Sequence, residues 1–198
     1  MLKITIPTFL TLFRISLIPI FVMVFYFPFY WSFVGSAVIF GIAAFTDWLD
    51  GFLARKLGQV SPLGEFLDPV ADKLVVAFAL VLLVQAHPTF LMAIPAAIII
   101  SREIAISALR EWMAEMGKRS HVSVKWLGKL KTAAQMIAIL LLLSQDPKLL
   151  SWITIAGYVF MYVAVILTLW SMISYLKVAL RELSEQERLQ NLPPSETA

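Results

Sequence analysis

The chain contains no cysteine and few charged residues, and both absences limit what it can be. Without cysteine it forms no disulfide, no cysteine-ligated zinc site and no thiol nucleophile. Charged side chains make up 15% of its 198 residues, whereas soluble domains carry about 25%. Because 60% of the residues are apolar, we expect neither a soluble globular enzyme nor a disordered or nucleic-acid-coating protein.

The chain also has little excess charge of either sign. Its formal net charge at pH 7 is +3, from 16 basic and 13 acidic residues, which is too small an excess to indicate a nucleic-acid partner. What the sequence has instead is long apolar runs, and a membrane-spanning helix needs about 20 predominantly apolar residues. The composition therefore predicts an integral membrane protein with little chain outside the lipid bilayer.

Six apolar stretches, separated by proline, glycine and polar segments, predict six transmembrane helices. They cover residues 7–27, 31–57, 65–85, 90–116, 125–144 and 149–176. We therefore expect an all-α integral membrane protein, with six transmembrane helices in one bundle over residues 1–176. Residues 177–198 are expected to form a cytoplasmic tail, first amphipathic and then disordered.

Basic residues are distributed unevenly between the two ends of the predicted helices. Of the 16 lysines and arginines, only Lys148 lies in the three loops that would share one side of the membrane. Loops rich in lysine and arginine stay in the cytoplasm, and an even number of spans brings both termini to the same side. We therefore expect both termini in the cytoplasm.

Four aspartates lie near the cytoplasmic ends of the second and third predicted helices: Asp47, Asp50, Asp68 and Asp72. Residues three or four apart share a helix face, and a short turn makes the two helices antiparallel, so the two pairs can face each other. Carboxylates in a low-dielectric pocket repel one another unless cations compensate them. Oxygen ligands suit Mg²⁺ or Mn²⁺, and four carboxylates predict a site for two such ions. The alternative is a pair of acidic clusters that face water.

Small residues accompany the aspartates. At Gly51, Ala54 and Gly64 a missing or short side chain lets a phosphate or a facing helix approach closely. For Gly64, plain helix packing is an equal alternative. Arg55 can bind a phosphate, pair with an aspartate or anchor the helix at the membrane surface.

The segment around these aspartates resembles the complete signature of the CDP-alcohol phosphotransferase family. Its eight positions are here Asp47, Asp50, Gly51, Ala54, Arg55, Gly64, Asp68 and Asp72. The resemblance implies a six-helix membrane enzyme, commonly a homodimer, that transfers a substituted phosphoryl group from a CDP-linked donor to an alcohol and releases CMP. It implies that the first three aspartates mainly hold the metal ions, and that Asp72 is a metal ligand and also the general base.

The same resemblance implies that Gly51 lies against the cytidine nucleotide. We expect the donor nucleotide site to comprise four residues: Thr11, Gly51, Ala54 and Arg55.

Basic residues within the predicted helices bear on the acceptor. An arginine inside a membrane helix is costly unless it meets water, a carboxylate or a phosphate. Four of these residues are expected to bind a phosphate on the acceptor: Arg14, Arg102, Arg110 and Lys131. For Arg102 the alternative is a pairing with Glu103 or Glu65, and for Lys131 an anchoring role at the membrane surface.

Longer segments resemble the bacterial members of the family that make phosphatidylglycerol phosphate. The opening IPTFLTLFRISLIPIFV and the run SREIAISALREWMAEMGKRSHVSVKWLGKLKTAAQM belong to this likeness, which covers most of residues 4–140. It implies transfer from CDP-diacylglycerol to sn-glycerol 3-phosphate at the cytoplasmic side of the bacterial inner membrane. The stretch from about residue 141 onward is less distinctive, and its likeness adds nothing to the identification of the substrate.

Two alternatives remain at the level of function. Within the family, the acceptor can instead be inositol phosphate or phosphatidylglycerol. From another class, a small cation transporter also places carboxylates within helices, but it would show acidic residues near mid-membrane and two related halves. No internal repeat is visible, and the charges collect toward one side of the predicted bundle.

One remaining titratable residue, His87, is expected at the surface of an outer loop.

Overall fold

The computed structural model describes residues 5–29, 31–57, 61–115 and 125–190. Over these ranges it contains six α-helices and no strand, which confirms the all-α prediction. The helices are α1 (Ile6–Tyr26), α2 (Ser32–Leu57), α3 (Pro62–Ala86), α4 (Phe90–Glu115), α5 (Lys125–Leu143) and α6 (Trp152–Gln190). Each begins within three residues of its predicted start.

Four of these helices, α1, α2, α4 and α6, are long and apolar enough to cross a membrane. Both α3 and α5 begin with a charged segment, which ends at Lys73 in α3 and at Lys131 in α5. The rest of each helix, residues 74–86 and 132–143, contains no charged side chain. The charged segments of α3 and α5 supply much of the candidate site described below.

The helices form a ring in which each packs against two main neighbours, in the order α1, α2, α5, α6, α4, α3 and back to α1. One continuous apolar core fills the interior. Phe21 of α1 and Phe40 of α2 are almost fully buried there, with ring centroids 6.4 Å apart. Residues from α3, α4 and α5 complete the core, including Leu80, Met92 and Ile139, none of which is exposed. This core holds the helix ends in fixed relative positions.

The start of α3 differs from the prediction because of a local cap. Ser61 has an extended backbone, and its Oγ accepts a hydrogen bond of 3.0 Å from the Gly64 backbone N–H. Pro62 occupies the first turn, where its missing N–H costs nothing. This serine cap starts α3 three residues before the predicted position and brings Gly64 into the helix.

The expectation for His87 was wrong. The structure places it in the short connection between α3 and α4, but only 8% of the residue is exposed. Its ring packs edge-on against Tyr158 of α6, with the centroids 5.8 Å apart. Burial lowers the pKa of His87. Because α6 passes beside this connection, a residue that is a loop residue in the sequence becomes an interior one.

α6 is the longest helix, with 39 residues and a length of about 58 Å. It continues without a break through residues 177–190, the first part of the predicted tail, and Ala179 within that part is buried. The expected domain boundary at residue 176 therefore falls inside a continuous helix. Residues 193–198, expected to be disordered, lie outside the described residues.

Candidate active site

Three of the four predicted metal ligands lie around one arginine. Arg14 of α1 is 1% exposed, and one of its terminal nitrogens donates to Asp47 Oδ1 of α2 at 2.9 Å. The same guanidinium donates to Asp50 of α2 and to Asp72 of α3. One buried cation on α1 thus connects carboxylates from two other helices.

The charges around this arginine do not balance. A single guanidinium faces three carboxylates, and the side chain of Asp50 is only 5% exposed. Uncompensated charge in a low-dielectric site is costly. Asp47 and Asp72 are nearly half exposed, at 42% and 45%, so water or a further cation can reach them.

The fourth aspartate, Asp68, has a different partner. It accepts a hydrogen bond from the hydroxyl of Thr11, a fully buried residue one turn before Arg14 on α1. Thr11 was predicted to bind the donor nucleotide. In the structure its hydroxyl donates to a predicted metal ligand, so α1 orients all four aspartates through Thr11 and Arg14.

Gly64, the signature glycine of α3, lies directly against α1. A Cβ at this position would be 2.9 Å from Thr8 Oγ1 and 3.0 Å from Ser61 Oγ. Those two hydroxyls share a hydrogen bond of 2.6 Å and are both buried. The geometry supports the packing interpretation of Gly64, since the close approach is to protein atoms.

Gly51 has a different environment. It is exposed, and a Cβ there would meet nothing within 4 Å. The space beside it is therefore open to a ligand, as the prediction of a nucleotide contact requires. Ala54 and Arg55 lie one turn further along α2, but their side chains are outside the described part of the structure.

A cavity of about 830 Å³ opens beside the aspartates. Asp47 and Asp72 form part of one wall, together with Trp48 and Lys73. α4, α5 and α6 supply the opposite wall, which is rich in basic and polar residues. The lining residues on that side include Arg102, Glu103, Arg110, Lys129, Lys131, Ser171 and Tyr175.

The basic wall is organised by one carboxylate. Glu103 accepts from Arg102 at 2.8 Å and from Lys131 at 2.7 Å, through the same oxygen. Arg102 also donates to Ser171 of α6 at 3.0 Å. Arg102 and Lys131 are almost fully buried, whereas Glu103 is about one-third exposed. The predicted alternative for Arg102, a pairing with Glu103, is therefore present in the structure, and both residues line the cavity.

Arg110 lies further along α4 and is exposed. Its guanidinium carbon is 5.3 Å from the ring centroid of Tyr175 on α6, a cation–π arrangement. The structure thus brings together three of the four predicted acceptor-binding residues, Arg102, Arg110 and Lys131. It places the fourth, Arg14, among the aspartates and not among the residues that line the cavity.

α6 contributes two residues to the cavity that were not predicted from the sequence. Ser171 and Tyr175 are one helical turn apart, and both line the cavity and contact the predicted acceptor residues. The stretch beyond about residue 141 gave no information on the substrate, yet it supplies two of the residues that line this cavity. Ser171 and Tyr175 are uncharged residues in an apolar helix, so no sequence pattern identified them.

The described carboxylates are not arranged as a metal cage. In the parts of the chain that the structure covers, no group of three or more Asp, Glu, His or Cys side chains could hold a metal ion as it stands. The oxygens of Asp47, Asp50 and Asp72 point to Arg14. Their chemistry nevertheless fits Mg²⁺ or Mn²⁺, since all are carboxylates and their negative charge exceeds that of the one cation beside them.

The two walls carry side chains of different chemistry, which suit different parts of a substrate. Carboxylates on α2 and α3 suit cations and can accept a proton, whereas cations on α4 and α5 suit a phosphate. A substrate in the cavity would touch both walls. This arrangement can transfer a phosphorus group between an anionic donor and an acceptor that carries its own anionic group.

Comparison with known proteins supports this chemistry. The sequence profile described as CDP-alcohol phosphatidyltransferase matches residues 4–170. A protein of Salmonella paratyphi A and one of Salmonella typhimurium are each 55% identical to the chain over 185 residues. A protein of Escherichia coli strain K12 is 54% identical over the same length. Each match covers 93% of this chain and the whole of the relative, and each relative is named CDP-diacylglycerol–glycerol-3-phosphate 3-phosphatidyltransferase.

Proposed function

Because the chain belongs to the CDP-alcohol phosphatidyltransferase family, we propose that it transfers the phosphatidyl group of CDP-diacylglycerol to glycerol 3-phosphate. The products are phosphatidylglycerol phosphate and CMP. The observation that carries this proposal is one cavity with an acidic wall and a basic wall. The names of relatives at 54–55% identity, which match along their full length, support the choice of donor and acceptor.

Two divalent cations, Mg²⁺ or Mn²⁺, fit the donor set that Asp47, Asp50, Asp68 and Asp72 provide. When bound, such ions neutralise the charge of a pyrophosphate and favour departure of the nucleotide. The carboxylates are supported by α1, since Arg14 and Thr11 contact all four of them. We therefore assign the acidic wall to the donor's pyrophosphate.

Asp72 is the proposed general base. It faces the cavity and its side chain is 45% exposed, so an acceptor hydroxyl can approach it. Asp72 takes the proton of the primary hydroxyl of glycerol 3-phosphate, and the resulting oxygen bonds to the phosphorus that carries diacylglycerol. The bond from that phosphorus to the oxygen of CMP breaks, and CMP leaves with the electron pair.

The basic wall binds the phosphate of the acceptor in this proposal. Arg102, Arg110 and Lys131 approach the cavity from α4 and α5, and bidentate arginine contacts suit a phosphate. Glu103 already neutralises part of this charge and keeps Arg102 and Lys131 together. Tyr175 restrains Arg110 through its ring.

The nucleotide of the donor is assigned to the open side of α2. Gly51 leaves the space that a base or ribose needs, and Ala54 and Arg55 follow one turn later on the same helix. Thr11 contributes indirectly, because its hydroxyl donates to Asp68.

In the same proposal the protein is a multi-pass protein of the bacterial inner membrane, with six spans and both termini in the cytoplasm. The four apolar helices and the bacterial relatives support this placement. The active site then faces the cytoplasm, the acyl chains of the donor stay in the lipid, and two copies of the chain form a homodimer.

The direct test is release of CMP by the purified protein in detergent, with CDP-diacylglycerol, Mg²⁺ and glycerol 3-phosphate. Release that requires both the acceptor and the metal is the expected result, and omission of either, or addition of a chelator, provides the controls. Metal-dependent release with inositol phosphate or phosphatidylglycerol, and none with glycerol 3-phosphate, would retain the reaction and replace the acceptor. No release with any alcohol would contradict the proposal.

A further inference from the structure

We propose that Arg14 is a built-in counter-cation, which holds the metal-binding carboxylates together and must leave them when a metal ion binds. The inference rests on the proposed function, because it takes Asp47, Asp50 and Asp72 as metal ligands. It concerns how the site is assembled and does not depend on which alcohol is the acceptor.

Arg14 lies at the point where the carboxylates of α2 and α3 converge. Arg14 is 1% exposed and its two terminal nitrogens donate to carboxylates on both α2 and α3. A cation bound by these same oxygens would occupy the space that the guanidinium fills. Two divalent ions would already balance the charge of the four carboxylates, so a guanidinium left among the same oxygens would be repelled.

Arg14 is held there by charge and not by a complete set of hydrogen bonds. Its Nε is buried and has no hydrogen-bond partner among the described residues. The Nε of Arg102 is also buried without a described partner, but Arg102 donates to a carboxylate and a hydroxyl, whereas the described partners of Arg14 are all carboxylates. The missing partner fits a side chain that can exchange this position for another.

The carboxylates need a cation beside them even when no metal ion is bound. Without a cation, Asp47, Asp50 and Asp72 would place three negative charges in one partly buried cluster, and each would destabilise the others. Arg14 compensates part of that charge before metal arrives. Because it belongs to the neighbouring helix α1, the displaced guanidinium stays beside the site, where phosphoryl oxygens are suitable partners for it.

The inference makes Arg14 a positioning residue whose removal strengthens metal binding. Arg14→Gln removes the competing charge and leaves the carboxylates, so Mn²⁺ should bind at least about tenfold more tightly, within the usual range of coupling between two ligands at one site. Mn²⁺ affinity is measured by electron paramagnetic resonance on the purified full-length protein in detergent, without any substrate.

Arg102→Gln is the matched control. It makes the same substitution at a second buried arginine of the same bundle, which contacts Glu103 and Ser171 and none of the aspartates. Its Mn²⁺ affinity should remain within about twofold of the unmodified protein, since the two sites share no partner.

If Arg14→Gln does not fold, a second variant, Arg14→Lys, tests the same inference. Arg14→Lys retains one positive charge, but a single ammonium cannot reach three carboxylates as a guanidinium does. Its Mn²⁺ affinity should rise by a smaller factor, about threefold, and its thermal stability should recover when Mn²⁺ is added.

The outcomes separate this inference from the proposed function. Unchanged or weaker Mn²⁺ binding by both Arg14 variants, with normal binding by the unmodified protein, would overturn the role of Arg14 alone. No Mn²⁺ binding by the unmodified protein would overturn this inference and the metal dependence of the proposed function together. CMP release measured separately would still identify the acceptor.

Discussion

At the scale of single residues, the aspartates are distinguished by what each one faces. Asp50 is buried against Arg14, Asp68 contacts Thr11, and Asp72 faces both Arg14 and the cavity. By their spacing in the sequence Asp68 and Asp72 are equivalent, since they lie one helical turn apart. The structure assigns them different surroundings because α1 presents a threonine to one and an arginine to the other.

Asp72→Asn should reduce the rate of CMP release by at least about a hundredfold, the usual contribution of a general base. The amide keeps the shape of the side chain but cannot take the proton from the acceptor hydroxyl. Binding of CMP, measured by calorimetry, should change by much less than the rate. Asp146→Asn is the matched control, since Asp146 lies in the connection before α6 and pairs with the Lys148 backbone. A rate close to that of the unmodified protein would show that Asp72 is not the base.

The two signature glycines should respond oppositely to alanine. Gly64→Ala places a Cβ 2.9 Å from Thr8 Oγ1, which disturbs its hydrogen bond to Ser61 and the cap of α3, so stability should fall by about 1–3 kcal/mol. Gly51→Ala meets nothing within 4 Å and should leave the melting temperature unchanged or slightly raised.

The binding of CMP should also distinguish the two variants. Gly51→Ala should weaken it by about tenfold, because the added methyl group occupies the space assigned to the nucleotide. Thermal denaturation and calorimetry on both variants measure the two effects. If Gly51→Ala bound CMP normally, the nucleotide would have to lie elsewhere on α2.

At the scale of helices, the structure shows why some boundaries differ from the prediction. Ser61 caps α3 early, and α6 continues to Gln190 because no glycine or proline interrupts residues 158–190. These helix ends follow from local chemistry. The burial of His87 does not, since it depends on Tyr158, which is 71 residues away in the chain.

The contact between α5 and α6 depends on one small residue. A Cβ at Gly157 would lie 2.7 Å from Leu142 Cγ, so Gly157→Ala should force the two helices apart and cost about 1–3 kcal/mol. Gly41→Ala is the control, since its Cβ would make an ordinary contact of 3.6 Å with Leu140. We expect the melting temperature in detergent to fall clearly for the first variant only. A melting temperature of Gly157→Ala as high as that of the unmodified protein would show that α5 and α6 can adjust at no cost.

At the scale of the whole molecule, the absence of cysteine allows a clean test of membrane orientation. Lys148→Cys and Lys177→Cys each introduce one thiol at an exposed position, the first before α6 and the second where the apolar part of α6 ends. In intact bacteria a membrane-impermeant maleimide should label the first variant only, because positively charged termini stay in the cytoplasm. The second variant should react once the cells are broken, and the unsubstituted chain should not react at all. Labelling of Lys177→Cys in intact cells would reverse the proposed orientation.

The sequence alone determined the helical class, the approximate extents of the first five helices, the approximate start of the sixth and the family. It could do so because these properties depend on local composition, on apolar run length and on a short spacing of carboxylates within about 26 residues. It also identified Asp47, Asp72, Arg102, Arg110 and Lys131, which all line the cavity, since a charged side chain in an apolar helix is conspicuous.

The tertiary structure alone decided which charges pair. Arg14 was grouped with the other cations by its type, but α1 packs against α2 and α3 and so carries it to the aspartates. Ser171 and Tyr175 join the basic wall because α6 packs against α4 and α5. Charge type and position within a helix are properties of the sequence, whereas the partner of a charge depends on which helices are neighbours. The order of the helices around the bundle is what makes one arginine a counter-ion and the others a candidate phosphate site.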